Sequence, residues 1–235
     1  MAQPFRSMTY FDSQVWPHLR LRLRENHLMI QSPEMMQTVS SALWRGGMQD
    51  ARTYINGLVP LDYQSHDPAG QLASQITQWG YDPDETVGLL TAARLTLASV
   101  QEEKGDQFSL LVCATAGTGN GARAGRRRKA YSSYRAGTIN VMIMLDARLT
   151  TAAMINAVMT ATEAKCAALQ DAQIRDPNGE IITGTTSDAI VLAASQAAHF
   201  DGVHQFAGTA TTIGQAIGRL TYGAVLEAVR TQREV

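Results

Sequence analysis

Two cysteines among 235 residues leave little room for sulfur chemistry. Cys113 and Cys166 cannot build a disulfide scaffold or a four-cysteine zinc site. A single bridge between them stays open, but both stand in apolar runs and read as buried thiols. Charge is equally sparse. Twenty basic and 21 acidic residues nearly cancel, and charged residues make up 17% of the chain. That balance excludes the strongly basic surface of a nucleic-acid-binding domain. Beside 45% hydrophobic residues it also excludes a disordered chain. No run approaches the ~18 uncharged apolar residues of a membrane span. The longest candidate, 207–229, carries Arg219 and Glu227. The N-terminal stretch lacks a continuous apolar core and meets Asp12 early, unlike a secretory signal. A cytoplasmic protein without nucleic-acid or membrane partners is expected.

Familiar catalytic signatures are missing as well. None of the five histidines, His18, His27, His66, His199 and His204, stands in H-E-x-x-H or at helical metal spacing from a carboxylate. No metal site is expected. His199 and His204 share a loop with Asp201 and form a candidate acid–base pair. Gly-x-Ser-x-Gly is absent, which removes the α/β-hydrolase elbow. Gly117, Gly119 and Gly121 spell G-x-G-x-G, followed by Ala122 and arginines rather than Gly-Lys-Ser. Neither a dinucleotide fingerprint nor a P-loop fits. A backbone turn that contacts a ligand and a plain tight turn both stay open. Arg126–Lys129 reads as a solvated loop.

What is present is strand and helix pattern. Residues 1–18 read as a loose lead-in to one domain over 19–235. Residues 19–24 alternate leucine and arginine, a strand with one buried and one wet face. Asn26-His27 reads as a turn, and Leu28–Ile30 as the returning strand, closed by Pro33. Val39–Ala42 and Tyr54–Val59 are strand candidates around Gly46-Gly47. Asp67-Pro68 opens a helix reaching Trp79, stopped by Gly80. Val87–Leu90, Leu95–Val100 and Phe108–Cys113 read as strands, with a polar turn at Glu102–Asp106. Residues 114–138 read as a loop, Ile139–Leu145 as the most apolar strand and Ala189–Ala193 as another. Thr150 or Thr151 caps a helix to about Gln170, with a core stripe of Ile155, Val158, Met159, Thr162, Cys166 and Leu169. Thr211 or Thr212 caps a last helix to about Arg230, with Gly214 and Gly218 one turn apart. Strands first, then strands alternating with helices, predict an α+β fold of largely antiparallel sheets with long Ala/Gly-rich helices packed on them.

Small polar residues crowd the strand starts: Thr138 and Asn140, then Thr185–Asp188. Glu163 and Lys165 lie on the long helix between them. These segments together resemble the adenosylcobinamide amidohydrolase (CbiZ-type) family. The likeness is carried in order by Ser40–Ala42 with Gly46-Gly47, Asn56 before Val59-Pro60, Val87–Ala92, Thr115–Gly117 with Asn120–Ala122, and Gly137–Asn140. It continues through Asn156-Ala157 with Thr160–Lys165, Gly184–Asp188, and Ala207–Thr211 with Ile217-Gly218 and Tyr222. The loop 118–136 departs from the family in length and basicity, which bears on substrate preference.

The resemblance implies hydrolysis of the amide joining the corrin propionyl side chain of adenosylcobinamide to aminopropanol. The products would be adenosylcobyric acid and 1-amino-2-propanol, in corrinoid salvage toward cobalamin. The corrinoid carries its own cobalt as substrate, and no further cofactor is implied. Amide hydrolysis needs a nucleophile, an oxyanion holder and a proton for the departing amine. Glu163 or Asp188 could activate water, or Thr138 could attack. Backbone N–H groups of 115–121, or the amides of Asn120 and Asn140, could hold the oxyanion, with Lys165 as cationic anchor or proton donor. Ser41, Gly47, Asn56, Thr115, Gly117 and Asn120 are the expected substrate-binding residues. Asn120, Thr138, Asn140, Glu163, Lys165 and Asp188 are expected to converge on one cleft. Homo-oligomerisation stays open.

A second likeness, from Gly137–Leu149 through Thr186–Ala193, is to self-cleaving D-aminopeptidases. It implies an αββα sandwich and puts Ser133 near the nucleophile position. The Gly-Asn-Ser cleavage sequence is missing, so no self-processing is expected. Against the enzyme reading stand a non-catalytic corrinoid-binding protein and an unrelated amidase or aminopeptidase on that scaffold.

Overall fold

A computed structural model of the chain describes residues 3–127 and 137–234. Its strands are β1 (Tyr10–Asp12), β2 (Arg20–Leu23), β3 (His27–Ser40), β4 (Gly47–Leu58), β5 (Thr86–Thr91), β6 (Ser99–Gly105), β7 (Phe108–Ala116), β8 (Gly121–Ala122), β9 (Ile139–Asp146), β10 (Gly184–Thr185) and β11 (Ala189–Ala194). The helices are α1 (Pro68–Gln78), α2 (Thr151–Asp171) and α3 (Thr212–Thr231). Asp67, Thr150 and Thr211 each cap a helix by accepting the backbone N–H three residues on, from Gly70, Ala153 and Gly214. Gly80, at φ +85°, takes the left-handed turn that ends α1.

The fold is α+β with a mixed sheet. β9–β11 and β4–β5 pair in parallel. The pairs β1–β2, β2–β3, β3–β4, β3–β11, β6–β7 and β7–β9 are antiparallel. Three apolar layers hold it together. Helices α2 and α3 cover one face of β7, β9 and β11, where Val112, Ile143 and Leu192 meet Ala157, Ile217 and Val225. The other face of those strands, with Cys113, Met142 and Val191, packs on Ile30, Tyr54, Val87 and Leu89 of β3–β5. Outside these, Met29 and Ile55 meet Leu72 and Ile76 of α1. The layers succeed one another as helix, strand, strand, helix. Nine of the eleven described strands nevertheless form one hydrogen-bonded sheet, because β3 bonds both β4 and β11, while β8 and β10 pair apart. This differs from a sandwich of two separate sheets.

Several expectations need correction. The lead-in is not loose: Phe5 and Trp16 are buried in the second layer, and β1 pairs with β2. Pro33 does not close its strand. The β3–β4 register shifts between Gln31 and Met36, so proline sits where the ladder is already interrupted. Leu95–Leu97 form a short 3₁₀ turn rather than strand. Glu102–Gly105 stay in β6, and the turn is Asp106-Gln107.

The core stripe of α2 is also rotated. Ala153, Met154, Ala157, Thr160, Ala161, Lys165, Ala168 and Leu169 are its buried residues, whereas Ile155 and Met159 are 51% and 56% exposed. The helix has apolar residues on every side, so hydrophobicity does not choose its face. Small size does, because α2 must approach α3 closely. At that contact a Cβ on Gly218 would lie 3.7 Å from Thr160 Cγ2. Cys113 is fully buried, and desolvation pushes its thiol up to about 12. Cys166 is only half-buried and donates to the Thr183 carbonyl (3.1 Å).

Candidate active site

A cleft of about 780 Å³ opens where the C-terminal ends of β4 and β5 meet the N-terminal ends of β9 and β11. One wall is built by Val59, Tyr63–His66 and Pro68 from the β4–α1 connection and by Leu89–Ala92 at the end of β5. The other is Gly137, Thr138 and Asn140 at the start of β9 with Ser187–Ala189 at the start of β11. Ser41 and Leu43, just past β3, close one end. Parallel pairing places Asn140 opposite Ala189, which brings the polar lead-ins of both strands together.

Behind the cleft runs a buried chain of side-chain hydrogen bonds. Thr138 Oγ1 lies 3.2 Å from Asn140 Oδ1 and donates to the Ser187 carbonyl at 2.7 Å. Asn140 Nδ2 donates to Asn56 Oδ1 (2.8 Å) and to the Leu90 carbonyl (2.9 Å). Asn56 Nδ2 donates to Thr115 Oγ1 (2.9 Å). Thr115, Asn56 and Asn140 are at most 1% exposed. A polar chain this deep in an apolar seam is tolerable only because its members satisfy one another.

The second polar unit is the ion pair of Lys165 Nζ with Asp188 Oδ2. Asp188 also accepts from the Ile139 N–H (3.0 Å), the Thr185 N–H (3.0 Å) and the Thr185 hydroxyl. Four donors occupy the roughly four acceptor positions of a carboxylate. Gly184 makes room for them, since a Cβ there would press on the Asp188 carboxylate and on Lys165 Nζ (2.8 Å). Lys165 is only 6% exposed, although it lies on a helix face lined mostly with alanine.

Of the expected site residues, Ser41, Thr138, Asn140 and Asp188 line the cleft. Asn56 and Thr115 stand directly behind Asn140. Lys165 reaches the edge through Asp188. Asn120 sits beside it, with Nδ2 donating to Thr186 Oγ1 (2.7 Å) and Oδ1 buried without a hydrogen bond. Gly117 donates its N–H to the Thr138 carbonyl (2.9 Å) and packs close to Gly137. Two residues fall elsewhere. Glu163 is exposed on the outer side of α2 and does not line the cleft, a consequence of the rotated stripe. Gly47, at φ +90°, serves the β3–β4 turn. The oxyanion role expected of the Asn140 amide also meets an obstacle, because both Nδ2 hydrogens are already donated.

Other expectations resolve away from this cleft. His199 pairs with Asp146 (3.4 Å) rather than Asp201, at the far end of β9 from Asn140. His204 lies against the Gln107 carbonyl (3.3 Å). The glycine turn leads into β8, which pairs with β10. Arg126 faces Glu180 (3.6 Å) at the surface, while Arg128, Lys129 and Ser133 lie outside the described residues. Sequence reasoning missed the wall at 59–68, including Tyr63 and His66. Its one signal was position, a polar connection leaving the C-terminal end of a strand.

No helix of the described residues is long and apolar enough to cross a membrane. A profile of the adenosylcobinamide amidohydrolase family matches residues 14–235. Over 225 residues the chain is 27% identical to the adenosylcobinamide amidohydrolase of Methanosarcina mazei, covering 92% of this chain and 98% of that protein. It is 25% identical to the uncharacterized protein MJ1613 of Methanocaldococcus jannaschii over 212 residues, 81% of this chain and 82% of that one. Among solved structures it is similar to the PH0078 protein of Pyrococcus horikoshii OT3, with TM-score 0.42, 11% identity, and coverage of 90% and 78%. It is likewise similar to a Burkholderia sp. beta-aminopeptidase, with TM-score 0.42, 12% identity, and coverage of 97% and 85%.

Proposed function

The chain belongs to the adenosylcobinamide amidohydrolase family and is a hydrolase of an amide carbon–nitrogen bond; on that premise we propose that adenosylcobinamide is its own substrate. The bond cut joins the corrin propionyl side chain to aminopropanol. Adenosylcobyric acid and 1-amino-2-propanol leave, and the acid re-enters cobalamin synthesis. The observation that carries this reading is the two-sided cleft. Leu43, Val59, Pro68 and Leu89 offer an apolar bed, while Thr138, Ser187 and Asp188 gather at the other wall. A macrocycle can rest on the first while one amide arm enters the second.

We assign the attack to Thr138. Glu163 lies outside the cleft, and the oxygens of Asp188 are already occupied. Thr138 puts a hydroxyl on the cleft wall, held by Ser187 and Asn140. Its oxygen would bond to the amide carbon, and the C–N bond would break to leave an ester. Beside the Lys165–Asp188 pair, a cleft water would carry the hydroxyl proton to the departing nitrogen, and a second water would then hydrolyse the ester. The pair is tied to this threonine through the Ile139 N–H, next in the chain. Asn140, Asn56 and Thr115 fix the hydroxyl's orientation from behind, as catalytic groups require.

Incubation with adenosylcobinamide, followed by mass analysis, tests the reading. Release of free 1-amino-2-propanol and adenosylcobyric acid is expected. Intact substrate after incubation, beside turnover of a simple peptide amide, would overturn the assignment of substrate.

A further inference from the structure

We propose that His66 is a ligand to the substrate's cobalt, filling the axial position on the face of the corrin that carries the scissile arm; this rests on the substrate reading above. His66 immediately precedes Asp67, the cap of α1. The loop around it is fastened on both sides. Tyr63 donates its hydroxyl hydrogen to Gln71 Oε1 (2.8 Å), and the Asp67 N–H donates to Ser65 Oγ (3.1 Å). The imidazole itself is exposed on the cleft wall and, among the described residues, has no hydrogen bond, ion pair or ring contact. His18 lies outside the cleft, and the other three histidines are engaged. His27 meets Tyr81 (2.9 Å) and stacks on Trp79 (4.1 Å), His199 faces Asp146, and His204 faces Gln107. Among the described residues of the wall, His66 supplies the one imidazole, and no cysteine or methionine is present.

The chemistry of the substrate gives this imidazole a partner. Cobinamide lacks the nucleotide base that fills the lower axial position of cobalt in the complete coenzyme. In that coenzyme the base is tethered through the same propionyl–aminopropanol arm. The arm to be cut and the open coordination position therefore lie on one face of the ring. With its arm directed at Thr138 and Asp188, the ring lies toward the apolar wall, the side on which His66 stands. Neutral imidazole is a strong nitrogen ligand for late first-row metals. The step is coordination only: a nitrogen lone pair fills the vacant position, any bound water leaves to solvent, and no electron is transferred.

Cob(II)inamide bound to the full chain provides the probe, read by electron paramagnetic resonance. Wild type is expected to show three-line nitrogen superhyperfine splitting, collapsing to two lines when the protein's histidines carry nitrogen-15. His66→Ala should lose the splitting while keeping wild-type circular dichroism. It should also weaken cob(II)inamide binding by at least the roughly 10- to 100-fold that a damaged ligand environment costs a metal site. Added imidazole should restore the splitting in that variant. Wild-type binding without nitrogen splitting, or splitting that persists in His66→Ala, would overturn the ligation. Aminopropanol release by wild type is scored separately, so ligation can fail while the substrate reading stands. Failure of wild type to bind cob(II)inamide would overturn the ligation, and absence of aminopropanol release from adenosylcobinamide would overturn the substrate reading.

Discussion

Asn140 donates one hydrogen of its side-chain amide to Asn56 Oδ1 and the other to the Leu90 carbonyl, at 2.8 and 2.9 Å. One residue on β9 thus laces together β4 and β5 across the seam that forms the cleft. Removing either asparagine leaves buried polar groups without partners, which costs about 1–3 kcal/mol for each unsatisfied group. Asn56→Ala and Asn140→Ala are expected to lower stability in that range by urea denaturation. Their double variant should fall short of the sum, because both changes break one shared bond. Strict additivity would show that the chain carries no mutual support.

Thr138 offers the clearest catalytic test. Thr138→Ala should reduce aminopropanol release by at least ~10³-fold, the order seen when a covalent nucleophile is removed. Thr138→Ser should retain much of it. Rapid quenching of wild type should trap a corrinoid ester on the peptide containing residue 138. Wild-type turnover in the alanine variant would remove the threonine from the chemistry.

Lys165 and Asp188 form an ion pair with side chains 8% and 12% exposed. Breaking a buried pair by deleting one partner leaves an uncompensated charge and costs about 3–5 kcal/mol. Lys165→Met and Asp188→Asn should each lower the thermal midpoint sharply, with Asp188→Asn the worse because it strands the ammonium, whereas the carboxylate keeps its Ile139 and Thr185 donors when Lys165 is removed. Unchanged midpoints would mean that the pair is solvated in solution.

His27 predicts a pH dependence of folding. Burial, and secondarily the nearby charge of Arg24, lower its imidazole from 6.5 to about 4 in the folded chain. The unfolded chain therefore binds the proton first. The stability that His27 contributes is complete above pH 6.5 and declines as pH falls toward 4. Urea midpoints across that window should drop less steeply in His27→Phe, which keeps a ring against Trp79. Parallel curves would refute the assignment.

Two of the three glycines of α3, Gly214 and Gly218, should behave oppositely. A Cβ on Gly214 would collide with the Gly208 carbonyl oxygen, which is backbone and cannot swing away. Gly214→Ala is expected to destabilise by about 1–3 kcal/mol. At Gly218 the nearest atom is Thr160 Cγ2 at 3.7 Å, an ordinary contact. Gly218→Ala should be neutral or stabilise by up to ~1 kcal/mol, as alanine suits a helix better. Thermal melts of the two variants decide the matter.

These cases show which signals the sequence carries. Thr138, Asn140 and Asp188 could be found because polar residues at the starts of apolar strands stand out against a period-two background. The caps at Asp67, Thr150 and Thr211 follow from local chemistry alone. Glu163 was misplaced because α2 offers no single apolar face, and its orientation is decided by how closely α3 approaches. Pro33 misled for a related reason, since a bulge that absorbs a proline depends on the partner strand. Tyr63 and His66 have no periodicity to betray them, and only the meeting of β4 with β9 gives their loop a site to face. The ring of donors around Asp188 likewise joins neighbouring Thr185 to two distant segments, at Ile139 and Lys165.

The sharing of β3 between β4 and β11 has a mechanical consequence. Many enzymes admit a large ligand by swinging one half of the molecule away from the other. Here such a swing would tear the ladder of a 14-residue strand, because β3 bonds to both sides. The seam behaves as a welded joint rather than a hinge. Its two walls therefore keep one spacing with or without a guest. Adjustment to different corrinoids then falls to surface connections such as 59–67, and a variant that changes guest preference should map there without altering the strands.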